Sequence, residues 1–276
     1  MTWGLVLSGG VACGIANGGI IEVLEREKLR PSAVAGSSMG GIIGGLYAFG
    51  VPIEDIHALS KMLSFLKIVS MQKKPFQHGL HSGLFRQNFT DVIYPLIGDA
   101  RIGDCQIPFL CIAGRVRQPL EWQKAFSGGL LEHAEKRIEK YIFPPDTKLL
   151  DALLATSAMP VLFAPVEVNG DMFVDLVNFG SIPTRTMRES YDPDRIIATN
   201  TEPGWQSVSG FLPKPLQEFT KAGYISLEES KRSCDLLIEP QKAYGPFRFD
   251  KAEAFWAAGK AEAEKRLEEI KICLSV

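Results

Sequence analysis

Ser38 is the residue most ready for chemistry in this 276-residue chain. It is the centre of Gly36-Ser37-Ser38-Met39-Gly40, a G-x-S-x-G pentapeptide of the kind that sets a nucleophile on a tight strand-to-helix turn. Small residues two before and two after the serine let such a turn close. A second glycine-rich turn precedes it, Ser8-Gly9-Gly10-Val11-Ala12-Cys13-Gly14. Its run of backbone N–H groups suits a developing oxyanion, with Gly9, Gly10 and the amide of Val11 as candidate donors. The bland alternatives are a serine that caps a helix and a turn needed only for packing. A dinucleotide fingerprint is excluded, because Val11 stands where G-x-G-x-x-G has its second glycine.

A serine needs a general base within hydrogen-bond reach. In α/β-hydrolases the order along the chain is serine, acid, then a late histidine. Here the four histidines, His57, His78, His81 and His133, all precede residue 134, and no histidine follows Asp175. Three readings remain: an early histidine in an unfamiliar topology, a carboxylate acting directly on the serine, or an inactive site. Asp175, at the end of a predicted strand, is the best-placed carboxylate, since the ends of parallel strands are where α/β sites collect. A structural turn aspartate is its alternative. Cys13 reads as a small packing residue rather than a nucleophile.

The elements that must position these residues follow from patterning. Trp3 to Leu7 is short and apolar and ends at glycines, as a parallel strand buried on both faces does. Ala16, Ile20, Val23 and Leu24 then share one helical face, with charge mostly on the other, until Pro31. Ala33-Val34-Ala35 is a second strand that runs into the elbow. This β-turn-α-β-turn-α unit predicts a right-handed crossover and a parallel sheet.

Met39 to Phe49 reads as a helix despite Gly40, Gly41, Gly44 and Gly45, each costly by about 1 kcal/mol relative to alanine. That cost is sensible only if the helix lies close behind the elbow. Pro52 opens another helix, to about Leu63. Met62 to Phe76 mixes apolar residues with Lys67, Lys73 and Lys74. It reads first as a core helix followed by a basic loop, and second as a lid or a patch for transient contact with a membrane surface. Leu84 to Leu96 is predicted helical, and Ile107 to Ala113 and Leu120 to Phe126 are predicted strands. Residues 129–146 are predicted as a charged helical excursion ended by Pro144-Pro145. Leu149 to Thr156 is a short helix. Val161 to Val168 and Met172 to Val174 are a strand pair around Asn169-Gly170. Ile196 to Thr199 and Leu236 to Ile238 are core strands, and an amphipathic helix occupies about 250–272.

Hydrophobic residues make up 46% and charged residues 22%, the mix of a globular protein, and the chain is read as one domain over 1–276. A formal net charge of −2 argues against nucleic acid as a partner. No apolar run reaches the ~18 residues of a membrane span. The first residues lack the basic flank and cleavage region of a signal peptide. Five scattered cysteines without a C-x-x-C pair support neither a disulfide framework nor a zinc site. The expectation is a cytoplasmic protein with free thiols.

Four stretches, in order across most of the chain, resemble the patatin-like phospholipases. Gly9 to Gly14 is similar to that family's oxyanion loop and Gly36 to Gly40 to its elbow. Ala155-Thr156-Ser157-Ala158-Met159-Pro160 is similar to the run that precedes its acid strand, and Asp175 with Pro183 to its acid motif. The resemblance implies a three-layer α/β/α fold with a mainly parallel central sheet. It also implies a lipid acyl hydrolase whose Ser38–Asp175 dyad cleaves lipid or lysophospholipid esters through an acyl-enzyme. No metal, calcium or cofactor is implied. Two classes compete with it: a catalytically impaired binding or regulatory relative, and an acyltransferase using the same elbow. The chain departs from the family pattern where Val11 and Cys13 replace a glycine and an arginine, and where Leu176 and Val177 follow the acid in place of glycine and a small residue. Gly180 and Ser181 replace asparagines. A β-branched residue resists positive φ, so the loop at Val11 is expected to take a different path.

Overall fold

The computed structural model describes residues 1–62, 69–71, 85–118, 137–160, 162–176, 181–203 and 227–275. Along the chain come β1 (Trp3–Leu7), a 3-10 turn over Val11–Ile15, α1 (Ala16–Arg26), β2 (Ala33–Gly36), α2 (Ser38–Phe49) and α3 (Ile53–Met62). A small antiparallel pair follows, β3 (Val69–Met71) with β4 (Phe85–Gln87), and then α4 (Thr90–Ile97). Next are β5 (Phe109–Val116), β6 (Ile138–Ile142), α5 (Leu149–Thr156), β7 (Val166–Val168) and β8 (Asp171–Val174). The described part closes with α6 (Thr184–Tyr191), β9 (Arg195–Thr199), β10 (Leu236–Ile238), α7 (Ala252–Lys265) and α8 (Leu267–Cys273).

The main sheet has the order β10-β9-β1-β2-β5-β8-β7, with β6 also paired to β5. Strands β10, β9, β1, β2 and the first half of β5 run parallel. The second half of β5 is antiparallel to both β6 and β8. β1 is central because all five of its residues are buried, which requires cover on both faces. Its side chains alternate accordingly: Trp3, Leu5 and Leu7 enter one core, while Val6 joins Ala33, Ala35, Ile196, Ala198 and Met187 in a second. Helices α1, α2 and α7 contribute to the first core and α6 to the second, so the expected three-layer α/β/α arrangement with a mostly parallel sheet is observed.

Glycines set how closely the first layer packs. A Cβ on Gly259 of α7 would fall 1.9 Å from the Ala16 carbonyl oxygen, and one on Gly19 of α1 would fall 2.0 Å from that of Trp256. The two backbones therefore touch. Trp256 Nε1 donates to Glu22 at 2.6 Å across the same crossing, and the ring of His57 stacks on Trp256 at 4.1 Å. His57 is half-buried on α3, where that indole offers it a face. The other three histidines lie outside the described residues.

Three expectations need correction. Residues 138–142 form strand β6, not a continuation of a charged helix. Ile138, Tyr141 and Ile142 favour a strand, and β5 supplies its partner: Glu139 receives Arg115 at 3.1 Å and Arg117 at 2.6 Å, and Tyr141 packs on Phe143 and Phe173. The segment from Leu84 contains β4 before its helix, which starts only at Thr90. The C-terminal helix is broken at Arg266 into α7 and α8. The predicted strand at 120–126, residues 129–136 of the excursion, and most of 62–76 lie outside the described residues. The Asn169-Gly170 turn is as expected, with φ of 52° and 86° joining β7 to β8.

Gly259→Ala tests the α1–α7 crossing. It should lower stability by about 1–3 kcal/mol, as overpacking does, read as a drop in the urea midpoint. Gly245→Ala, where nothing lies within 4 Å, should stay within about 0.5 kcal/mol.

Candidate active site

The elbow forms because β2 must turn into α2 within one residue. Ser38 takes φ +54°, a left-handed conformation that costs a non-glycine residue roughly 1–2 kcal/mol. Gly36 and Gly40 make the turn possible. A Cβ on Gly36 would meet the Gly40 carbonyl oxygen at 2.5 Å, and one on Gly40 would meet the Ser8 and Leu7 carbonyl oxygens at 2.3 and 2.4 Å. The Ser38 N–H donates to Thr156 Oγ1 at 2.9 Å, and that hydroxyl donates to the Ile112 carbonyl at 2.6 Å. Thr156 lies in the Ala155-to-Pro160 run, so that run holds the elbow through a hydrogen bond.

A buried polar network fastens the glycine-rich loop. Ser8 N donates to Thr199 Oγ1 at 3.1 Å, Thr199 Oγ1 to Asn17 Oδ1 at 2.6 Å, and Asn17 Nδ2 to the Ser8 carbonyl at 3.0 Å. Thr201 N donates to Ser8 Oγ at 2.7 Å, and the Thr201 hydroxyl bonds the Gly9 carbonyl. The loop thus hangs from the end of β9. Its amides are not equivalent. Gly9 N donates to the Ser181 carbonyl at 3.1 Å and Ala12 N to that of Pro246 at 2.9 Å, whereas the N–H groups of Gly10 and Val11 have no hydrogen bond among the described residues. Gly9, expected as a donor to the oxyanion, is therefore already engaged, because the chain at 181 runs close beside it. Gly10 and Val11 remain.

Val11 has φ +54°, directly after Gly10 at +128°. Val11 thus takes the left-handed backbone that a β-branched residue resists. The polar network and the Pro246 contact hold the left-handed turn in spite of Val11, so strain is stored in the loop.

Asp175 follows β8, is 3% exposed, and donates its N–H to the Ala158 carbonyl at 2.9 Å. Ser157 and Met159, either side of that residue, line a cavity of about 30 Å³ together with Ser38, Val11 and Met39. Phe89, Leu162, Phe163, Phe247 and Phe249 complete its apolar wall. Leu176, which adds bulk beside the acid, turns away: its Cδ2 lies over Gly114 on β5, 3.1 Å from where a Cβ would stand. Cys13 is buried, and desolvation lifts its thiol to about 11, so it packs rather than reacts.

Two charged residues at the site were not singled out from sequence. Glu202 is 8% exposed, and its Oε1 lies against Gly9, 2.6 Å from a Cβ built there. Burial first, then the Asp175 charge, push its carboxyl up to about 7, while Lys242 pulls it down. Lys242 is itself held below its ordinary value by burial. A usable signal was present for Glu202: Thr199-Asn200-Thr201-Glu202 is a polar run at the end of a parallel strand adjacent to β1. Lys242 had none, since it comes from a loop without a pattern. Among the described residues no group of three or more metal-ligating side chains occurs, and no helix is long and apolar enough to cross a membrane.

The chain is 24% identical over 270 residues to a protein named lysophospholipase NTE1 from Candida glabrata, covering 93% of this chain. To the protein of that name from Candida albicans it is 32% identical over 188 residues, covering 67% of this chain. It spans only 15% and 12% of the length of those relatives. Among solved structures it resembles VipD from Legionella pneumophila, with a TM-score of 0.52 and 15% identity over 97% of this chain and 67% of that one. It also resembles the type III effector protein ExoU, with a TM-score of 0.51 and 15% identity over 96% of this chain and 53% of that one. At that identity the two structures support the fold alone. The sequence profile of the patatin-like phospholipase family matches residues 5–175, more than half of the chain, and the chain belongs to that family.

Proposed function

We propose that the protein is a serine acyl hydrolase that cleaves lipid or lysophospholipid carboxylic esters, with Ser38 as nucleophile and Asp175 as general base. The observation that carries this reading is that Ser38, at positive φ on the elbow, lines the same cavity as Val11, whose N–H, like that of Gly10, has no hydrogen bond among the described residues. An unfilled pair of N–H groups beside a strained serine is what an oxyanion site requires. The lysophospholipase relatives suggest the ester class. The apolar side chains of Met159, Leu162, Phe163, Phe247 and Phe249 give the first carbons of an acyl group an apolar lining. Phe247, 48% exposed at the rim, gives a lipid surface an apolar group to meet.

In the proposed reaction Asp175 takes the Ser38 proton as Oγ attacks the ester carbonyl. The amides of Gly10 and Val11 hold the oxyanion, and the alcohol leaves with the proton. Water, deprotonated by Asp175, then attacks the acyl-enzyme, and its proton passes back to Ser38 as the acid is released. Transfer to an acceptor alcohol would follow the same path with that alcohol in place of water.

A second reading, a binding module that no longer turns over, has Val11 in its favour, since strain in the loop could spoil the alignment of its amides. The two readings part on covalent chemistry. A fluorophosphonate should label wild-type Ser38, and Ser38→Ala should abolish the adduct; a folded wild type that resists the probe sinks the hydrolase. Asp175→Asn should lower kcat on a chromogenic ester by about 10²–10⁴-fold, the usual contribution of a general base, with little change in circular dichroism. Turnover unaffected by that change rules the dyad out. Val11→Gly keeps the amide and releases the strained φ, so its labelling rate should equal or exceed that of wild type; a tenfold fall would show that the isopropyl group itself supports the site.

A further inference from the structure

Glu202 is a buried carboxyl with no part in the reaction as written. It lies three residues beyond the end of β9, with Oε1 against the α-carbon of Gly9; a Cβ placed there would be 2.6 Å from Oε1 and 3.0 Å from Ser38 Cβ. The carboxyl group, the oxyanion loop and the nucleophile therefore meet at one point. The titratable groups that face Glu202 among the described residues come from three other elements. Asp175 extends from the end of β8, Lys242 from the loop after β10, and Cys13 from the 3-10 turn. The Ser181 hydroxyl, also buried, is near Glu202 without making a well-formed hydrogen bond.

Two carboxyl groups in one buried site do not both ionise cheaply, and they titrate as a pair. An ionised Glu202 would place a negative charge against Gly9, in the loop whose next two amides are to hold an oxyanion. A protonated one removes that opposition. We propose that Glu202 is a positioning residue that holds the one proton shared with Asp175, leaving the pair's negative charge on Asp175 and the oxyanion loop free of an opposing charge. The inference rests on the hydrolase reading for its catalytic consequence, but not for the place of the proton.

Burial and Asp175 hold the proton on Glu202 up to about pH 7. Above that, wild-type kcat/KM should fall by about tenfold per pH unit as Glu202 ionises. Glu202→Gln cannot ionise, so this alkaline limb should vanish. Lys242→Met removes the cation that favours ionised Glu202, so its limb should move to higher pH. A purely structural role for either residue would alter the level of activity without moving the limb. Stability provides a reading that needs no turnover. A carboxyl whose pKa is raised by folding stabilises the fold less as pH rises from its unfolded value through its folded one. Wild type should therefore lose urea stability relative to Glu202→Gln as pH rises through about 7.

The experiment measures kcat/KM on a p-nitrophenyl ester for wild type, Glu202→Gln and Lys242→Met across about pH 5–9, and urea midpoints of the first two at the same pH values. Loss of the limb in Glu202→Gln, together with a gap in midpoints that widens from about pH 5 to about 7 and then levels off, is the expected result. An unchanged limb, or a gap that is constant from about pH 5 to about 7, overturns the proposal. If wild type hydrolyses no ester at any pH, the hydrolase reading fails by itself, and the unfolding comparison still decides who holds the proton.

Discussion

The left-handed backbone of Ser38 is the constraint on which the rest of the molecule converges. A serine at φ +54° would relax to an ordinary helix start if its neighbours allowed it. They do not. Gly40 lies directly on the Leu7 and Ser8 carbonyls at the end of β1, so the first turn of α2 cannot shift toward the sheet. The Ser38 N–H is held from the other side by the Thr156 hydroxyl, itself bonded to Ile112 on β5. The elbow is thus gripped by two strands and a helix distant in sequence. The glycines of α2, poor helix formers by propensity, are the means of that grip. Gly44 packs on Leu7 and Val34, and Gly45 on Leu153 and Phe109.

Strain at Val11 has a different support. No glycine relieves it at that position; the Ser8–Asn17–Thr199–Thr201 hydrogen bonds hold the loop at its base, and Pro246 accepts the Ala12 amide at its far end. A buried network of this kind is stiff when every member is satisfied. It also divides the amides of the loop into two kinds. Those of Gly9 and Ala12 are consumed in holding the loop in place. The pair between them, at Gly10 and Val11, points where no protein acceptor among the described residues meets it, which is how a fold stores binding capacity at low cost in reorganisation.

Much of this was legible in the residues. The apolar run Trp3 to Leu7, the Asn169-Gly170 turn and the helix Leu149 to Thr156 are local patterns with local causes, and they appear where expected. Ser38 and the glycine loop announced themselves by type and spacing. What could not be read were features decided at long range. Residues 138–142 follow a charged stretch that reads as helix, yet Ile138, Tyr141 and Ile142 suit a strand, and β5 supplies its partner, with Arg115 and Arg117 on Glu139. The loss of Gly9 as a donor depends on the carbonyl of Ser181, 172 residues away and set there by the sheet order. Leu176 looked like bulk beside the acid; a glycine on the neighbouring strand, Gly114, leaves room for it. In each case the deciding partner lies on another element, and no window of sequence contains both.

Charge at the site illustrates the same point most sharply. Position 13, an arginine in the pattern this chain resembles, is a buried cysteine whose thiol stays neutral because burial raises it to about 11. Read locally, the site has lost a cation. Read in space, Lys242 from the loop after β10 faces both Cys13 and Glu202, so a positive charge approaches the same corner from another element. A lysine on a loop and an arginine on a helix turn are not equivalent: the lysine is a point charge whose pKa falls when it is desolvated, and the arginine is a rigid fork that does not titrate. Lys242 is indeed held below its ordinary value by burial, and a carboxyl in reach offsets that cost. Glu239 is the main carboxylate that lets the cation tolerate burial, and the carboxyl next to Gly9 stays within titration range of neutral pH because the cation opposes burial and the Asp175 charge.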